Sequence, residues 1–284
     1  MTTVLVTGAT GLLGHALCGY LATRQFSLLR QSRDSATDFC GDLRDREFVG
    51  RMVEKSSPNV IVNLVALTNV DYCEQHPKEA FEGNVTTAAN LVAFVTEHPD
   101  VRMIQISTDQ VYDGPGPHGE ADVAPCNLYA YSKYCAEQVA LSAGATVLRT
   151  NFFGPGTQSQ KSFSDWLIER FSKKAPLQLV TDVLFSPLHL HTLVRMIERA
   201  ILAPATGVFN LGSHNGLSKR NFAHALARHL ELNTDAAKDA TSAELGLAAR
   251  RPGDMRMIVT RFEDAFNILL PELSNEITLL ERPA

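Results

Sequence analysis

Short apolar runs alternate with longer amphipathic stretches along the first half of the chain. Runs with the length and composition of buried strands lie at 4–6, 26–29, 60–62, 103–106 and 146–148. Stretches long enough for crossover helices lie near 12–23, 45–56, 77–98 and 129–142. This alternation is typical of β-α-β units joined by right-handed connections. It predicts an α/β fold with a doubly wound parallel sheet, the Rossmann architecture.

The pattern changes after Thr150. A G-P-G sequence at 154–156 interrupts the chain, and helices are predicted near 162–173 and 189–203. The segment 232–249 is polar and rich in alanine, so we expect a surface loop with some helical character.

A chain of 284 residues exceeds the length of one typical domain. We expect a first domain over 1–150 and a smaller C-terminal subdomain over 151–284, some segments of which return to the Rossmann core.

Composition indicates which kinds of partner and which cellular compartment to expect. The chain has 26 Lys and Arg against 31 Asp and Glu, a net charge of −5, without a basic block that would follow a phosphate backbone. It has no apolar run of the roughly 18–20 residues that cross a bilayer, and it begins with a strand-like run. Its five scattered cysteines include no C-x-x-C pair, which favours reduced thiols. We expect a cytoplasmic protein that binds neither nucleic acid nor membrane.

A glycine-rich turn follows the first predicted strand. The sequence T-G-A-T-G-L-L-G at 7–14 opens the first predicted helix, where backbone N–H groups and the helix dipole favour a pyrophosphate. A tight turn needs glycine whatever the ligand, but the strand-to-helix context favours a dinucleotide. The first domain is therefore interpreted as dinucleotide-binding. The residues of this turn predicted to bind the cofactor are Gly8, Thr10, Gly11, Leu12, Leu13 and Gly14.

The end of the second predicted strand bears on the choice of cofactor. Arg33 stands where a cofactor with a free 2′-hydroxyl usually meets an acidic residue, so it is a candidate ligand for a 2′-phosphate. The alternative is a solvated surface arginine. Asp42 and Leu43 follow, placed to meet the adenine edge, although Asp42 is equally well read as a helix cap. We expect NADPH, with NADH as the alternative.

A tyrosine and a lysine carry the predicted chemistry. Tyr129 and Lys133 are four residues apart on a predicted helix, and this spacing places them on one face. The pKa of a phenol is about 10, and a neighbouring ammonium stabilises its phenolate. Tyr131, two residues from Lys133, points to another face. The sequence S-T-D at 107–109 ends the fourth predicted strand, at the edge where such sheets bind ligands. This order of features predicts a carbonyl reductase.

Further motifs extend this pattern along the chain. They are V-N-L-V-A-L-T-N-V-D at 62–71, S-T-D-Q-V-Y-D-G at 107–114, P-C-N-L-Y at 125–129, L-R-T-N-F-F-G at 148–154, T-D at 181–182 with F-S-P at 185–187, and R-P at 251–252 with Arg256. Together with the glycine turn they resemble the extended short-chain dehydrogenase/reductase family and, within it, the dTDP-4-dehydrorhamnose reductases. The resemblance runs nearly from end to end.

The resemblance implies an NADPH-dependent reduction in dTDP-rhamnose biosynthesis, from dTDP-4-dehydrorhamnose to dTDP-L-rhamnose. Thr108 would hydrogen-bond the C4 ketone of the 4-keto-6-deoxy sugar nucleotide, and Tyr129 would protonate the forming alkoxide. Lys133 would hold the nicotinamide ribose and tune Tyr129.

Other site residues are implied by position in the family motifs. Cofactor contacts would also come from Val65, Ala66 and Thr68. Substrate contacts would come from Val70, Ser107, Thr108, Asp109, Asn151, Phe152 and Arg251. The chain departs from the family where Phe152 replaces a common tryptophan and where Leu64 and Val65 replace two alanines.

Alternatives to the reductase remain. One is a sugar-nucleotide 4-epimerase, and another is a cofactor-binding regulatory subunit resembling the methionine adenosyltransferase beta subunit. Gln110 disfavours dehydration, because related 4,6-dehydratases usually carry a glutamate there. A homodimer is compatible with the family. The pair His189 and His191 lacks acidic or cysteine partners at ligand spacing, so we expect surface or substrate-loop histidines and no metal. Trp166 is assigned to a core or an interface.

Overall fold

The computed structural model describes residues 1–34, 37–158 and 160–281. The chain divides into two compact units. The first unit consists of Met1–Thr108, Asn127–Leu148 and Val194–Phe209. The second consists of Asp109–Cys126, Arg149–Leu193 and Asn210–Ala284.

The described residues form thirteen strands. They are β1 (Thr2–Thr7), β2 (Phe26–Ser32), β3 (Phe39–Cys40), β4 (Val60–Asn63), β5 (Arg102–Thr108), β6 (Thr146–Thr150), β7 (Phe152–Phe153), β8 (Leu177–Val180), β9 (Leu184–Phe185), β10 (Leu188–His189), β11 (Gly207–Leu211), β12 (Leu217–Ser218) and β13 (Ala237–Ala240). Seven of them make one sheet in the order β11-β6-β5-β4-β1-β2-β3. β1 pairs in parallel with β2 and β4, and β4 pairs in parallel with β5.

The central strands are buried on both faces. All four residues of β4 and the last four of β1 are buried, which is why these strands appear in the sequence as continuous apolar runs. The five predicted strands correspond to β1, β2, β4, β5 and β6, and the doubly wound α/β prediction is confirmed. The sequence analysis missed β3 and β11 at the two edges of the sheet.

Helices connect the strands. They are α1 (Leu12–Leu21), α2 (Arg46–Ser56), α3 (Val70–Gln75), α4 (Pro77–Phe81), α5 (Thr87–Glu97), α6 (Leu128–Ser142), α7 (Phe163–Ser172), α8 (Leu190–Leu202), α9 (Lys219–His229), α10 (Thr260–Phe266) and α11 (Leu273–Ile277). A π-helical turn, Glu82–Thr86, joins α4 to α5, so the helix predicted near 77–98 is not regular throughout. No helix in the described ranges combines the length and the apolar character needed to span a bilayer.

Side-chain caps mark the start of several helices. Asp45 accepts from two backbone N–H groups of α2, Asn127 caps α6, and Ser162 forms a capping box on α7. Asp45, and not Asp42, is therefore the residue that caps α2.

The second unit has its own aromatic core. The ring of Phe222 contacts the rings of Phe153 and Phe185 edge to face, with centroid distances of 4.9 and 5.3 Å. In the segment 232–249, β13 pairs in parallel with β8, so the expectation of a loop is wrong there. The sequence concealed this strand because two of its four residues are exposed and its partner lies far away in the chain.

Candidate functional site

The glycine turn of the first unit is closely packed. Gly8 has a φ of +72°, a conformation that side chains other than glycine rarely adopt. A Cβ on Gly14 would lie 2.2 Å from the carbonyl oxygen of Gly8, so only glycine allows α1 to approach the turn this closely. Gly11 precedes α1, and no side chain caps this helix. The first N–H groups of α1 are therefore open to an anionic ligand.

A cavity of about 400 Å³ adjoins this turn. Eight residues predicted to bind the cofactor line it: Gly8, Thr10, Gly11, Arg33, Asp42, Leu43, Val65 and Ala66. The lining also contains residues that the sequence analysis did not select: Gln31, Ser32, Asp34, Gly41, Arg44, Leu64, Leu67, Glu79, Gly83 and Thr87.

Other predicted cofactor residues lie outside this lining. Leu12 begins α1, while Leu13 and Gly14 are buried in its first turn. Thr68 is exposed on the loop between β4 and α3, and Val70, predicted to contact substrate, is buried at the start of α3.

Charged groups surround the end of β2. Arg44 donates to Asp42 over 2.6 Å, and this hydrogen bond lowers the pKa of Asp42, with a smaller contribution from the charge of Arg33. Gln31, near the end of β2, accepts from the backbone N–H of Gly8 at 3.2 Å and donates to the carbonyl of Gly41 at 2.8 Å. Arg33 and Arg44 thus place two guanidinium groups in the lining of the cavity.

The tyrosine and the lysine lie near the N-terminus of α6. Tyr129 and Lys133 are both buried. The Nζ atom of Lys133 donates to the carbonyl oxygen of Ile106 over 2.7 Å, which ties α6 to the strand that ends at Thr108. Burial lowers the pKa of Lys133 to about 8. The position of Lys133 is therefore fixed, and its pKa is close enough to neutrality for neighbouring charges to change its protonation.

A buried carboxylate stands one turn behind Lys133. Glu137 is fully buried and accepts a hydrogen bond of 2.5 Å from the hydroxyl of Ser107. Its charge raises the pKa of Lys133 against the effect of burial. Ser107, predicted to contact substrate, thus also orients a carboxylate that favours the ammonium form of Lys133.

The π-helical turn positions a further buried side chain. Asn84 donates to the hydroxyl of Ser132 at 2.8 Å and accepts from the backbone N–H of Leu67 at 2.7 Å. It links α6 to the loop that lines the cavity, and π-helical turns often occur at functional sites. The sequence analysis missed Asn84, since nothing in its local pattern distinguishes it from a surface asparagine.

The second unit contains a cavity of about 420 Å³. Its lining is formed by Gln110, Asn151, Phe163, Trp166, Leu167, Gln178, Leu179, Val180, Val183, Lys219, Ser242, Leu245, Leu247, Arg251, Pro252 and Met255. Asn151 and Arg251, two predicted substrate residues, belong to it. Asn151 also donates to the carboxylate of Asp109 at 2.7 Å. Phe152 lies in β7 and is not part of the lining.

Two lining residues were not expected to contact a ligand. Trp166 was assigned to a core or an interface, but its side chain is 37% exposed at this cavity. Lys219 was not selected by any motif. Both are recognised only when distant segments are brought together around the cavity.

The histidines of the second unit do not form a recognisable metal centre. His189 is buried and its backbone N–H donates to Glu276 over 2.7 Å, so the expectation of a surface histidine is wrong for this residue. His191 is exposed. Within the described ranges, no group of three or more His, Cys, Asp or Glu side chains is arranged to hold a metal ion.

The chain is similar to known proteins over nearly its whole length. The model of the family described as RmlD substrate binding domain matches residues 1–281. The chain belongs to this family. The chain is 31% identical to methionine adenosyltransferase 2 subunit beta of Danio rerio, over 92% of this chain and 84% of the relative. It is 26% identical to dTDP-4-dehydrorhamnose reductase of Aggregatibacter actinomycetemcomitans, over 94% of each chain.

A solved structure supports the fold. The crystal structure of dTDP-4-dehydrorhamnose reductase from Bacillus anthracis str. Ames in complex with NADP superposes with a TM-score of 0.89 and covers 98% of both chains. Its sequence identity with this chain is 23%. At that identity the similarity shows that the two proteins share a fold.

Proposed function

We propose that the chain is an NADPH-dependent reductase that acts on the C4 ketone of a 4-keto-6-deoxy sugar nucleotide. The first candidate substrate is dTDP-4-dehydrorhamnose, whose reduction gives dTDP-L-rhamnose. One observation carries the proposal. Tyr129 and Lys133 are buried one turn apart, and the Nζ atom of Lys133 bonds the carbonyl of Ile106, two residues before Thr108.

The first cavity fits a dinucleotide with a 2′-phosphate. Gly8 and Gly11 let a pyrophosphate approach the backbone, and the uncapped start of α1 offers N–H donors. Arg33 and Arg44, which line the cavity beyond the end of β2, would hold the 2′-phosphate, because guanidinium groups bind phosphate well. When bound, NADPH supplies the hydride.

The chain's own residues handle the proton. Tyr129 would donate its phenolic proton to the oxygen of the reduced ketone, leaving a phenolate. The ammonium of Lys133 would stabilise that phenolate, and the charge of Glu137 raises the pKa of Lys133 against the larger effect of burial. Thr108, at the end of β5, would donate a hydrogen bond to the same oxygen and polarise the ketone before reduction.

Substrate residues of the second unit support a sugar nucleotide. Asn151 and Arg251 line a cavity whose volume lies within the range usual for small-molecule sites. Relatives named dTDP-4-dehydrorhamnose reductase match nearly the whole chain, which supports the same substrate class. No disulfide joins the five cysteines, all of which lie in the described residues, and this favours a reducing compartment such as the cytoplasm.

The test is an absorbance assay of NADPH and NADH with a panel of 4-keto-6-deoxy sugar nucleotides. We expect stoichiometric loss of NADPH absorbance as the reduced sugar nucleotide forms. A C4 epimerase would form product while the absorbance stays constant, and that result would refute the reductase.

A second candidate is a cofactor-binding regulatory subunit. It is favoured by the 31% identity with the fish methionine adenosyltransferase subunit. Such a subunit would bind NADPH without consuming it. If every measurable activity is the same in Tyr129→Phe as in the parent chain, the regulatory function is the better interpretation.

A further inference from the structure

Lys219 has a rigid position at the wall of the second cavity. It begins α9, and its backbone N–H donates to the carbonyl of Val183 at 2.9 Å. The residues just before it form β12, which pairs antiparallel with β9. The root of the side chain is therefore fixed to the strand that carries Phe185.

The ammonium of Lys219 lies against aromatic rings. Its Nζ atom is 3.4 Å from the centroid of Phe185 and 4.7 Å from that of Phe163. Among the described residues, Lys219 Nζ contacts these two ring faces and forms no hydrogen bond or ion pair. Burial lowers its pKa to about 8, and the charge of Asp109 only partly opposes that effect. The positive end of the α9 dipole adds a further unfavourable contribution.

These surroundings leave a cation whose hydrogen-bonding capacity is unused. An ammonium has three donors, and ring faces attract its charge without accepting conventional hydrogen bonds. The cation is thus held in the cavity wall at an electrostatic cost that an anionic ligand would offset. This arrangement is expected of a binding residue more than of one that stabilises the fold.

The rest of the lining indicates the chemistry of the ligand. Among the described lining residues, Lys219 and Arg251 are the ionisable ones, so the wall carries positive charge without a carboxylate. Trp166 stacks with Phe163 at a centroid distance of 6.0 Å and presents an exposed aromatic surface. A planar ring joined to a polyanion suits this combination of aromatic surface and cations.

We propose that Lys219 is a specificity-determining residue that binds the diphosphate of the sugar nucleotide in the second cavity. The choice of a sugar nucleotide rests on the proposed function. Lys219 donates charge-assisted hydrogen bonds to a phosphate oxygen, while the base lies against Trp166. The residue thereby discriminates a nucleoside diphosphate from the uncharged nucleoside.

Trp166 is the single tryptophan of the chain, so its fluorescence reports on this cavity alone. The probe is dTDP, titrated into the full chain while tryptophan emission and heat of binding are recorded. We expect dTDP to change Trp166 emission. Lys219→Met, which keeps the length and removes the charge, should weaken dTDP binding roughly ten- to hundredfold. Lys219→Arg should recover most of the affinity.

The matched control is Lys238→Met, which removes the same charge from an exposed position on β13. It should bind dTDP as the parent chain does. Thymidine, which lacks the diphosphate, should bind Lys219→Met and the parent chain equally. Equal dTDP affinity in Lys219→Met and the parent chain would overturn the proposal, as would dTDP binding that leaves Trp166 emission unchanged.

The pH dependence of dTDP affinity distinguishes a binding role of Lys219 from a structural one. If Lys219 only stabilised the fold, the affinity would not follow its protonation. The other charged groups that act on this site are Arg251 in the lining and Asp109, whose charge raises the pKa of Lys219. Lys219 is the group whose pKa burial lowers, to about 8. dTDP affinity should fall as the pH rises above about 8 in the parent chain. It should be independent of pH in that range in Lys219→Arg. A parent profile that matches the arginine variant contradicts the assignment.

The outcomes are separate from those of the reductase test. Loss of dTDP binding in Lys219→Met supports Lys219 even if no sugar nucleotide oxidises NADPH, in which case only the reductase fails. Conversely, NADPH oxidation combined with unaltered dTDP affinity in Lys219→Met leaves the reductase standing and removes the role of Lys219.

Discussion

Each unit of the molecule contains a cavity and a lysine with a lowered pKa, and the two lysines have different surroundings: Lys133 is buried and Lys219 is half-buried. The cavities have similar volumes, about 400 and 420 Å³, and burial lowers the pKa of both Lys133 and Lys219 to about 8. Lys133 is held by a backbone carbonyl and supported by Glu137. Lys219 lies on the faces of two phenylalanine rings.

The difference suits the two roles proposed for these lysines. A lysine bound to a carbonyl has a fixed position, which suits the tuning of a neighbouring phenol. A lysine on aromatic faces keeps its donors for a ligand. The residues that line the two cavities also differ. The first is lined by backbone at glycines and by charged side chains, and the second by aromatic and aliphatic side chains with two cations.

The largest expected effect is a loss of catalysis without a loss of ligand binding in either unit. Tyr129→Phe removes the proton donor and should lower kcat roughly 10²- to 10⁴-fold. Its binding of NADPH and of dTDP should be nearly unchanged, because Tyr129 lies outside the linings of both cavities. Steady-state kinetics with a 4-keto sugar nucleotide, together with titrations of both ligands, measure this.

Lys219→Met provides the reciprocal measurement. It should raise the KM for the sugar nucleotide while NADPH binding stays normal. If both variants alter the same kinetic constant to the same extent, the division between a chemical lysine and a binding lysine is wrong.

The second prediction concerns the rigidity of the glycine turn. Gly14→Ala would force a Cβ to within 2.2 Å of the Gly8 carbonyl oxygen, and overpacking of this kind typically costs about 1–3 kcal/mol. Gly19 lies in the same helix, and a Cβ there has nothing within 4 Å. Gly19→Ala should therefore stabilise the chain by roughly 0.5–1 kcal/mol. Urea unfolding of both variants measures the free energy of unfolding.

Opposite signs for the two alanine variants are the critical result. Equal stability in Gly14→Ala and the parent chain would mean that α1 moves away from the turn at little cost. The inference that only glycine at position 14 lets α1 approach the turn beside the first cavity would then be wrong.

The third prediction concerns the 2′-phosphate. Arg44→Ala removes one of the two guanidinium groups of the first cavity and should weaken NADPH binding by about tenfold while changing NADH binding little. Arg51→Ala, on the exposed face of α2, is the control and should change neither. Fluorescence titrations of both cofactors measure the ratio. Equal losses for NADPH and NADH would exclude recognition of the 2′-phosphate by Arg44.

The smallest expected effect concerns the carboxylate behind Lys133. Activity requires the ammonium form, so it should fall as the pH rises through the pKa of Lys133, about 8. Glu137→Gln removes a charge that raises this pKa, so the alkaline limb should move to lower pH. We expect a shift below about one pH unit, in line with typical effects of one nearby charge. The profile of kcat against pH measures it.

Glu54→Gln, an exposed change on α2, should leave the profile in place. An unmoved alkaline limb in Glu137→Gln would show that Glu137 has only a structural role through Ser107.

Sequence alone determined the features that depend on neighbouring residues. The buried strands β1, β4 and β5 were readable because a strand covered on both faces carries a short run of mostly apolar residues. The glycine turn and the four-residue spacing of Tyr129 and Lys133 were readable because local backbone geometry fixes both. The edge strand β3 has two residues and carries no comparable pattern.

Only the tertiary structure decided the features that join distant segments. Trp166 and Lys219 line one cavity with the predicted residue Arg251 although long stretches of chain separate them, and neither Trp166 nor Lys219 has a local pattern that indicates a ligand. The carbonyl that accepts from Lys133 and the aromatic rings that contact Lys219 likewise lie on other elements. Burial and electrostatic surroundings arise only when those elements pack, so they distinguish two lysines that the sequence presents as the same residue.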